Sequence, residues 1–334
     1  MSVIFSDGWN DHTTNTQKWT TGAGVISGSS ARTGSGGYQL SSSTTKQVDH
    51  VADEHATFIW GMAARRGVNG TIEMRFLSDS LATTHVTVQI TTSGEIKVFR
   101  GTIGGTQLGS TTDANLVPAS VFTYIEAKVT LSDTVGVVTV RVNGVEEFTI
   151  SSADTKNAGT KTVLDGIGMA TVAFSADIDD LVLMNGAGST NNDFIGDVAI
   201  ETIYPTSAGT TTGLTPSAGS NWQNVDDVPP NTTDYNSSAT DELYDTYNLG
   251  SLVRTVGTIY AINIYAYAAK SDSGTKGGAI MLRSGGTDYE KTDVALATSF
   301  DYQNDIIEVD PATSVAWTIA NVNALEAGFK VKAS

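Results

Sequence analysis

The chain has 334 residues and no cysteine, and its 19 Lys and Arg against 36 Asp and Glu give a net charge of −17 at neutral pH. The missing cysteines exclude disulfides, thiolate metal sites and a cysteine nucleophile, and the acidic balance argues against nucleic-acid binding, which requires phosphate neutralisation. No stretch approaches the roughly 18 apolar residues of a spanning helix, so membrane insertion is not expected.

Residues 1–186 place apolar side chains at every second position, which is the period of half-buried strands. Residues 85–100 alternate in this way on either side of a Thr-Thr-Ser-Gly turn, which predicts a β-hairpin. Residues 138–150 do so around Asn143-Gly144, the pair that a type I′ hairpin turn favours. We therefore predict that residues 1–186 form an antiparallel, jelly-roll β-sandwich.

A second domain is expected after a break in composition. Residues 187–195 are mostly small and polar, which indicates a linker, and residues 196–334 return to strand-like patterns. Residues 205–241 show little periodicity and predict a long acidic loop within the second β-sandwich. One short helix is predicted at 322–327, so the predicted fold class is all-β with two antiparallel β-sandwich domains and at most one helix.

The long loop and its flank combine aromatic and acidic residues. The candidates for a protein interface or a glycan-binding surface are Trp222, Tyr235, Tyr244, Tyr247, Asp226 and Asp227. Aromatic rings beside polar groups serve in both kinds of surface. The alternative is that the aromatic rings fill their own sandwich while the aspartates form turns.

No catalytic residues are predicted, and the protein is expected not to be an enzyme. The four histidines, His12, His50, His55 and His85, lie in no recognisable hydrolase motif. Glycoside hydrolysis would need two carboxylates across a cleft, but the candidates are adjacent on one strand or look like solvent-side strand residues. These candidates are Glu73, Glu126, Glu146 and Glu147.

Calcium is the only metal that the pattern suggests, and no other cofactor is expected. Asp177, Asp179 and Asp180 could supply the hard oxygen ligands that calcium prefers. The alternative is that the same carboxylates accept hydrogen bonds from backbone N–H groups or from an arginine.

The first segment resembles concanavalin-like, laminin-G-like jelly rolls. The resemblance runs in order from Phe5-x-Asp7-Gly8-Trp9 through Lys18-Trp19 to Ile178-Asp179-Asp180-Leu181. It covers about residues 1–185. It implies a sandwich fold that is common in phage and extracellular proteins.

The second segment resembles a module of tailed-bacteriophage virion proteins. The motifs that carry it are Gly196-Asp197-Val198, Tyr204-Pro205-Thr206, Trp222-Gln223-Asn224, Arg283-Ser284-Gly285-Gly286 and Asp310-Pro311-Ala312-Thr313. The resemblance implies a virion structural protein of the head or tail, made in the bacterial host cytoplasm, homo-oligomeric and bound to other virion proteins. Host-surface glycan binding is a second hypothesis, and a polysaccharide depolymerase is a third.

Overall fold

A computed structural model describes residues 2–14, 17–22, 24–40, 46–171 and 175–333. Antiparallel strands form nearly all of its regular structure, and the described residues contain one short α-helix near the C-terminus, so the predicted all-β class is confirmed. The chain divides into two compact units, residues 1–200 and residues 201–334. The structure thus assigns residues 187–200 to unit 1, whereas the sequence suggested a linker at 187–195.

Unit 1 is a sandwich of two antiparallel sheets. Its strands are β1 (Val3–Asp7), β2 (Val25–Ser27), β3 (Gly37–Leu40), β4 (Lys46–His55), β5 (Thr57–Arg66), β6 (Ile72–Ser78), β7 (Thr83–Ile90), β8 (Ile96–Arg100), β9 (Thr106–Ser110), β10 (Thr123–Thr130), β11 (Gly136–Val142), β12 (Val145–Ala153), β13 (Leu164–Thr171) and β14 (Ala176–Asn185). The first sheet has the order β12-β11-β10-β5-β14-β3-β2, and β1 also pairs with β14. The second sheet has the order β4-β13-β6-β7-β8-β9.

The alternating residues of unit 1 build one hydrophobic core between the two sheets. Trp60 of β5, Ile125 of β10 and Ile178 of β14 contribute to it from the first sheet, and Phe76 and Val88 contribute from the second. The other residues of each strand therefore point to the outer faces. The predicted β11–β12 hairpin is confirmed, with φ of 48° at Asn143 and 79° at Gly144.

Residues 193–200, which we call the strap, lie on the outer face of the first sheet. Phe194 stacks against the Arg141 guanidinium at 4.2 Å, and Gly196 N–H donates to Glu126 Oε1 at 2.9 Å. Ile200 N–H donates to Asp180 Oδ1 at 2.7 Å. The strap has the small, polar composition of a linker. Its backbone N–H groups nevertheless donate to buried carboxylates of the sheet.

Among the described residues, unit 2 is built on one five-stranded sheet and three two-stranded sheets. Its elements are β15 (Pro205–Thr212), β16 (Thr215–Pro216), β17 (Asn236–Ser237), β18 (Tyr244–Leu249), β19 (Ile262–Ala268), β20 (Lys276–Ser284), β21 (Thr287–Ala295), β22 (Asp301–Ile307), β23 (Val309–Asp310), β24 (Val315–Ala316), α1 (Ile319–Asn323) and β25 (Glu326–Ala333). The large sheet has the order β15-β18-β25-β20-β21. Its core contains Leu282, Ile307 and Trp317, whose Nε1 donates to the Ile307 carbonyl at 2.9 Å.

Two sequence-based predictions for unit 2 need correction. Residues 205–241 are not one loop, because β15, β16 and β17 lie within them. The edge strand β15 is largely exposed on both sides, so it lacks the apolar alternation that marks a half-buried strand. The helix begins at Ile319 rather than at residue 322, capped by Thr318, and residues 326–333 pair as β25 in the sheet.

Candidate functional site

The predicted interface residues do not form one surface. Tyr247 is 7% exposed, and its hydroxyl donates to Asp245 Oδ2 at 2.8 Å. The Tyr244 hydroxyl donates to Asp288 Oδ2 at 2.8 Å. Both tyrosines therefore have partners within unit 2, as the alternative interpretation of the sequence proposed.

The remaining candidates of this group are more accessible. Tyr235 is 47% exposed, whereas Trp222 is half-buried in the 3-10 turn Asn221–Asn224. Asp226 and Asp227 are half-buried, and Asp227 accepts a hydrogen bond from the Asn231 amide. Only Tyr235 presents a largely free ring, so this group gives a weak basis for a binding surface.

The sequence placed Asp245 among the acidic residues of the long loop and its flank but did not predict its role, which is to hold the segments beside β18. This fully buried carboxylate accepts hydrogen bonds from the N–H groups of Gly213 and Leu214 at 2.7 and 2.8 Å. It also accepts from the Asn221 amide at 2.6 Å and from the Tyr247 hydroxyl. Burial, followed by the Asp245 charge, raises the pKa of Tyr247 well above its ordinary value.

The three calcium candidates accept hydrogen bonds from protein donors. Asp177 binds Ser30 Oγ, Gln39 Nε2 and Arg65 Nε at 2.8, 3.0 and 2.9 Å. Asp179 accepts from the backbone N–H groups of residues 32, 33 and 180, and Asp180 accepts from Thr33 Oγ1 and Ile200 N–H. N–H and O–H groups point at these oxygens, so a cation would have to displace them, and the residues do not fit a calcium site.

A serine and a histidine meet inside unit 1. Ser78 Oγ lies 2.6 Å from His85 Nε2, and the histidine is fully buried. His85 Nδ1 accepts the Asn157 N–H at 3.1 Å, so the proton is on Nε2, which donates to Ser78. Burial is the main cause that lowers the pKa of His85. In this tautomer the imidazole cannot take a proton from Ser78.

Asp7, Asp11 and His12 bring their ligand atoms within 4.8 Å of one another, a geometry that could hold a metal ion. The Lys18 ammonium, however, lies 2.5 Å from Asp11 Oδ2 and 4.0 Å from Asp7 Oδ1. Burial acts to raise the pKa of Asp11, but His12 and Lys18 outweigh it and lower the pKa to about 2. Lys18 supplies the positive charge that a metal would bring.

The outer face of the second sheet carries a set of polar side chains that we call the polar face: Glu73, Arg75, Gln89 and Lys97. Ile72, Met74 and Phe76 of β6 point into the core, so Glu73 and Arg75 point outward. Strand register places Glu73 opposite Gln89, and Gln89 opposite Lys97. The four side chains therefore occupy neighbouring positions on β6, β7 and β8.

Glu73 is the central residue of the polar face. It is 0% exposed, and its Oε2 accepts two hydrogen bonds from Arg75, from Nε at 2.9 Å and from Nη2 at 2.6 Å. Its Oε1 is buried and has no hydrogen-bond partner among the residues that the structure describes. Because Glu73 has no exposed surface, a ligand would contact the polar face through the partly exposed Arg75, Gln89 and Lys97, while Glu73 holds the Arg75 guanidinium in place.

The strand β13, which pairs with β6 on the side away from β7, contributes no large side chain to the polar face next to Glu73 and Arg75. Gly168 and Ala170 of β13 lie in register with Arg75 and Glu73. A side chain at Gly168 would meet Asp49 Oδ1 at 2.2 Å.

The other residues of the polar face differ in their partners. Gln89 makes no side-chain hydrogen bond within the described part of the chain, and Lys97 pairs with Glu95 at 3.3 Å. Arg75, Gln89 and Lys97 remain partly exposed.

No protein-family model matches the sequence, and no curated protein is significantly similar to it. Among solved structures, the carbohydrate-binding module CBM66 from Bacillus subtilis is 7% identical, over 50% of this chain and 94% of its own, with a TM-score of 0.36. An endo-beta-1,4-glucuronan lyase from the fungus Trichoderma reesei is 11% identical, over 53% and 94%, with a TM-score of 0.38. A tetrameric galectin from the sponge Cinachyrella is 12% identical, over 42% and 99%, with a TM-score of 0.33.

The sequence-based prediction that the protein is not an enzyme is corrected by this comparison. The similar structures include a lyase beside a galectin and a carbohydrate-binding module. The lack of a recognisable catalytic motif in the sequence therefore does not show that the protein lacks an activity. No activity of these proteins is transferred to this chain.

Proposed function

We propose that the protein binds carbohydrate through the polar face of unit 1. The observation that carries the proposal is a group of partly exposed polar side chains, Arg75, Gln89 and Lys97, which strand register brings together around the buried Glu73. Glu73 accepts two hydrogen bonds from Arg75, and the Gln89 amide has no side-chain partner in the described part of the chain.

The mixture of groups matches the chemistry of a sugar. A carboxylate only accepts hydrogen bonds, guanidinium and ammonium groups only donate them, and an amide does both. A sugar hydroxyl both donates and accepts, so one hydroxyl can accept from the Arg75 guanidinium while its neighbour exchanges hydrogen bonds with the Gln89 amide. A few convergent polar groups on a rigid surface are typical of small-molecule sites.

The outer face of the first sheet is less suited to this role. The strap occupies part of it and uses the polar groups there, because Phe194 packs on Arg141 and Gly196 binds Glu126. On the second sheet, by contrast, Arg75, Gln89 and Lys97 are partly exposed.

The test is a glycan array followed by calorimetric titration of the best ligand. We expect Gln89→Ala to weaken binding of that ligand by about tenfold, since it removes one hydrogen bond to a ligand hydroxyl. Glu73→Gln should also weaken it, since it removes the carboxylate charge that holds the Arg75 guanidinium in place. The matched control is Glu146→Gln on the exposed edge strand β12, which should bind like the wild type. Unchanged affinity in both polar-face variants would show that the sugar binds elsewhere. Release of new reducing ends or unsaturated sugars during the titration would show turnover.

A second proposal concerns where the protein is located, and it rests on the resemblance of the second segment to tailed-bacteriophage virion proteins. We propose that the protein is carried on a tailed-phage particle, bound to other virion proteins and to further copies of itself. The support is the order of the motifs from Gly196-Asp197-Val198 to Asp310-Pro311-Ala312-Thr313. No helix in the described residues is long and apolar enough to span a membrane.

Immuno-gold labelling of purified particles tests the location separately from glycan binding. Label on the head or the tail would support the virion role and would show which of the two carries the protein. Particles without label would remove that role and leave the glycan-binding proposal standing.

A further inference from the structure

A depression of about 260 Å³ lies at one end of the first sheet of unit 1. It is lined by Arg65, Arg66, Gly67, Ser120, Ser175 and Asp177. Arg65 and Asp177 are register partners on β5 and β14. The polar face belongs to the second sheet, so this depression is a separate site.

The lining offers hydrogen-bond donors whose partners are missing. The hydroxyl groups of Ser120 and Ser175 make no hydrogen bond within the described chain. Arg65 uses Nε and Nη2 on Asp177 and the Ser29 carbonyl, and its Nη1 has no acceptor there. Three donor groups are therefore available around the depression.

The one carboxylate of the lining has no spare acceptor to offer. Asp177 Oδ1 accepts from Ser30 Oγ at 2.8 Å and from Gln39 Nε2 at 3.0 Å, and Oδ2 accepts from Arg65. Its charge is also offset by the Arg65 guanidinium, at 2.7 Å. Arg65 Nη1 can only donate and the two serine hydroxyls can donate as well as accept, whereas no carboxylate oxygen is spare, so a ligand group rich in acceptors complements the depression.

Arg66 adds a positive charge that no carboxylate neutralises. It is 3% exposed, and its guanidinium donates only to backbone carbonyls, those of Val117 at 2.7 Å, Thr92 at 2.8 Å, Val68 at 3.3 Å and Gly67 at 3.5 Å. It forms no ion pair with any residue that the structure describes. Arg66 follows Ala64 of the core by two residues and therefore points to the inner face of β5, opposite to Arg65, so its charge would act on an anion in the depression across the strand and not by contact.

We propose that this depression binds an anionic group, a carboxylate or a sulfate, carried by a ligand or free in solution. Two serine hydroxyls and the Arg65 guanidinium would hold its oxygens, and the Arg66 charge would stabilise it. The proposal goes beyond glycan binding at the polar face, since it concerns other residues and another ligand chemistry.

The experiment is an NMR titration of the full-length protein at constant ionic strength, with sulfate, glucuronate and glucose as separate probes. We expect saturable shifts of the Ser120 and Ser175 amide signals with sulfate and glucuronate, and none with glucose. Tighter binding of glucuronate than of sulfate would identify an acidic sugar as the source of the anion, and the reverse order a free anion. In the double variant Ser120→Ala/Ser175→Ala the affinity should fall about tenfold or more.

Ser151→Ala, an exposed serine on β12, is the matched control and should bind like the wild type. Each side-chain change lies at the surface or in the depression, and the thermal midpoint of every variant is measured to verify folding. The proposal would be overturned if chloride produced the same shifts or if glucose produced equal ones. Unchanged affinity of the double variant would also overturn it.

Discussion

Asp179 is a buried carboxyl group that we expect to titrate near neutral pH. Burial and the charge of Asp180 raise its pKa to about 7, even though three backbone N–H groups donate to it. The folded state then holds a proton that the unfolded state has lost, so this group makes stability fall as pH rises from about 4 to 7. Carbon-detected NMR should give a midpoint near 7 for Asp179 and a lower midpoint in Asp180→Asn. A wild-type midpoint near 4 would contradict the prediction.

His50 should have the opposite effect on stability. Its ring stacks on Phe5 with centroids 3.7 Å apart and lies 3.1 Å from the Lys18 carbonyl. Burial is the main cause that lowers its pKa from 6.5 to about 4. The unfolded state then binds the proton more tightly, so stability is lost as pH falls from 6.5 to 4, by up to roughly 3 kcal/mol.

Urea denaturation at pH 6.5, 5 and 4 measures this loss. We expect His50→Gln to be less stable than the wild type at pH 6.5 but to lose less stability on acidification. Equal acid sensitivity in His50→Gln and the wild type would exclude His50 as the cause.

At the scale of one element, the β11–β12 hairpin depends on the backbone of Gly144. Its φ is 79°, and a Cβ added there would meet nothing within 4 Å. The cost of Gly144→Ala is therefore conformational rather than steric, and we expect about 1 kcal/mol of destabilisation by urea denaturation. Gly104→Ala is the control, because Gly104 also has open space around it but no positive φ. Equal stability of the two variants would refute this explanation.

The same hairpin shows why much of unit 1 could be predicted from sequence. Half-buried strands require apolar and polar residues to alternate, and Asn-Gly favours a type I′ turn. Residues that are close in sequence are therefore sufficient to predict the hairpin. The strand β15 could not be found in this way, because it is exposed on both sides and its Thr and Ser residues resemble a loop.

The candidate sites depend on contacts between distant parts of the chain. Glu73 looked like a solvent-side residue of its strand, yet it is fully buried, and Gln89 reaches it only through the β6–β7 register. The depression joins Arg65, Ser120 and Ser175, which are far apart in sequence. A single sequence without the fold gives no signal for either grouping.

At the scale of the whole molecule, the two units differ in how much apolar surface they bury. The core of unit 1 draws on both sheets and includes Trp9, Trp19 and Trp60. The buried hydrophobic cluster of unit 2 is smaller and consists of Leu282, Ile307, Trp317, Val322, Leu325 and Ala327. Because buried apolar area is the main favourable contribution to folding, unit 2 should be the less stable of the two.

We therefore expect unfolding in two steps, with residues 201–334 losing structure at lower urea than residues 1–200. Hydrogen exchange followed by mass spectrometry across a urea series measures each unit separately. Leu282→Ala should lower the free energy of unfolding of unit 2 by about 2–5 kcal/mol, because it opens a cavity in the smaller core. Only the first step should therefore move to lower urea. Val88→Ala in the core of unit 1 should move only the second step. A single transition shared by both units, and shifted by both variants, would mean that the two cores unfold as one cooperative whole.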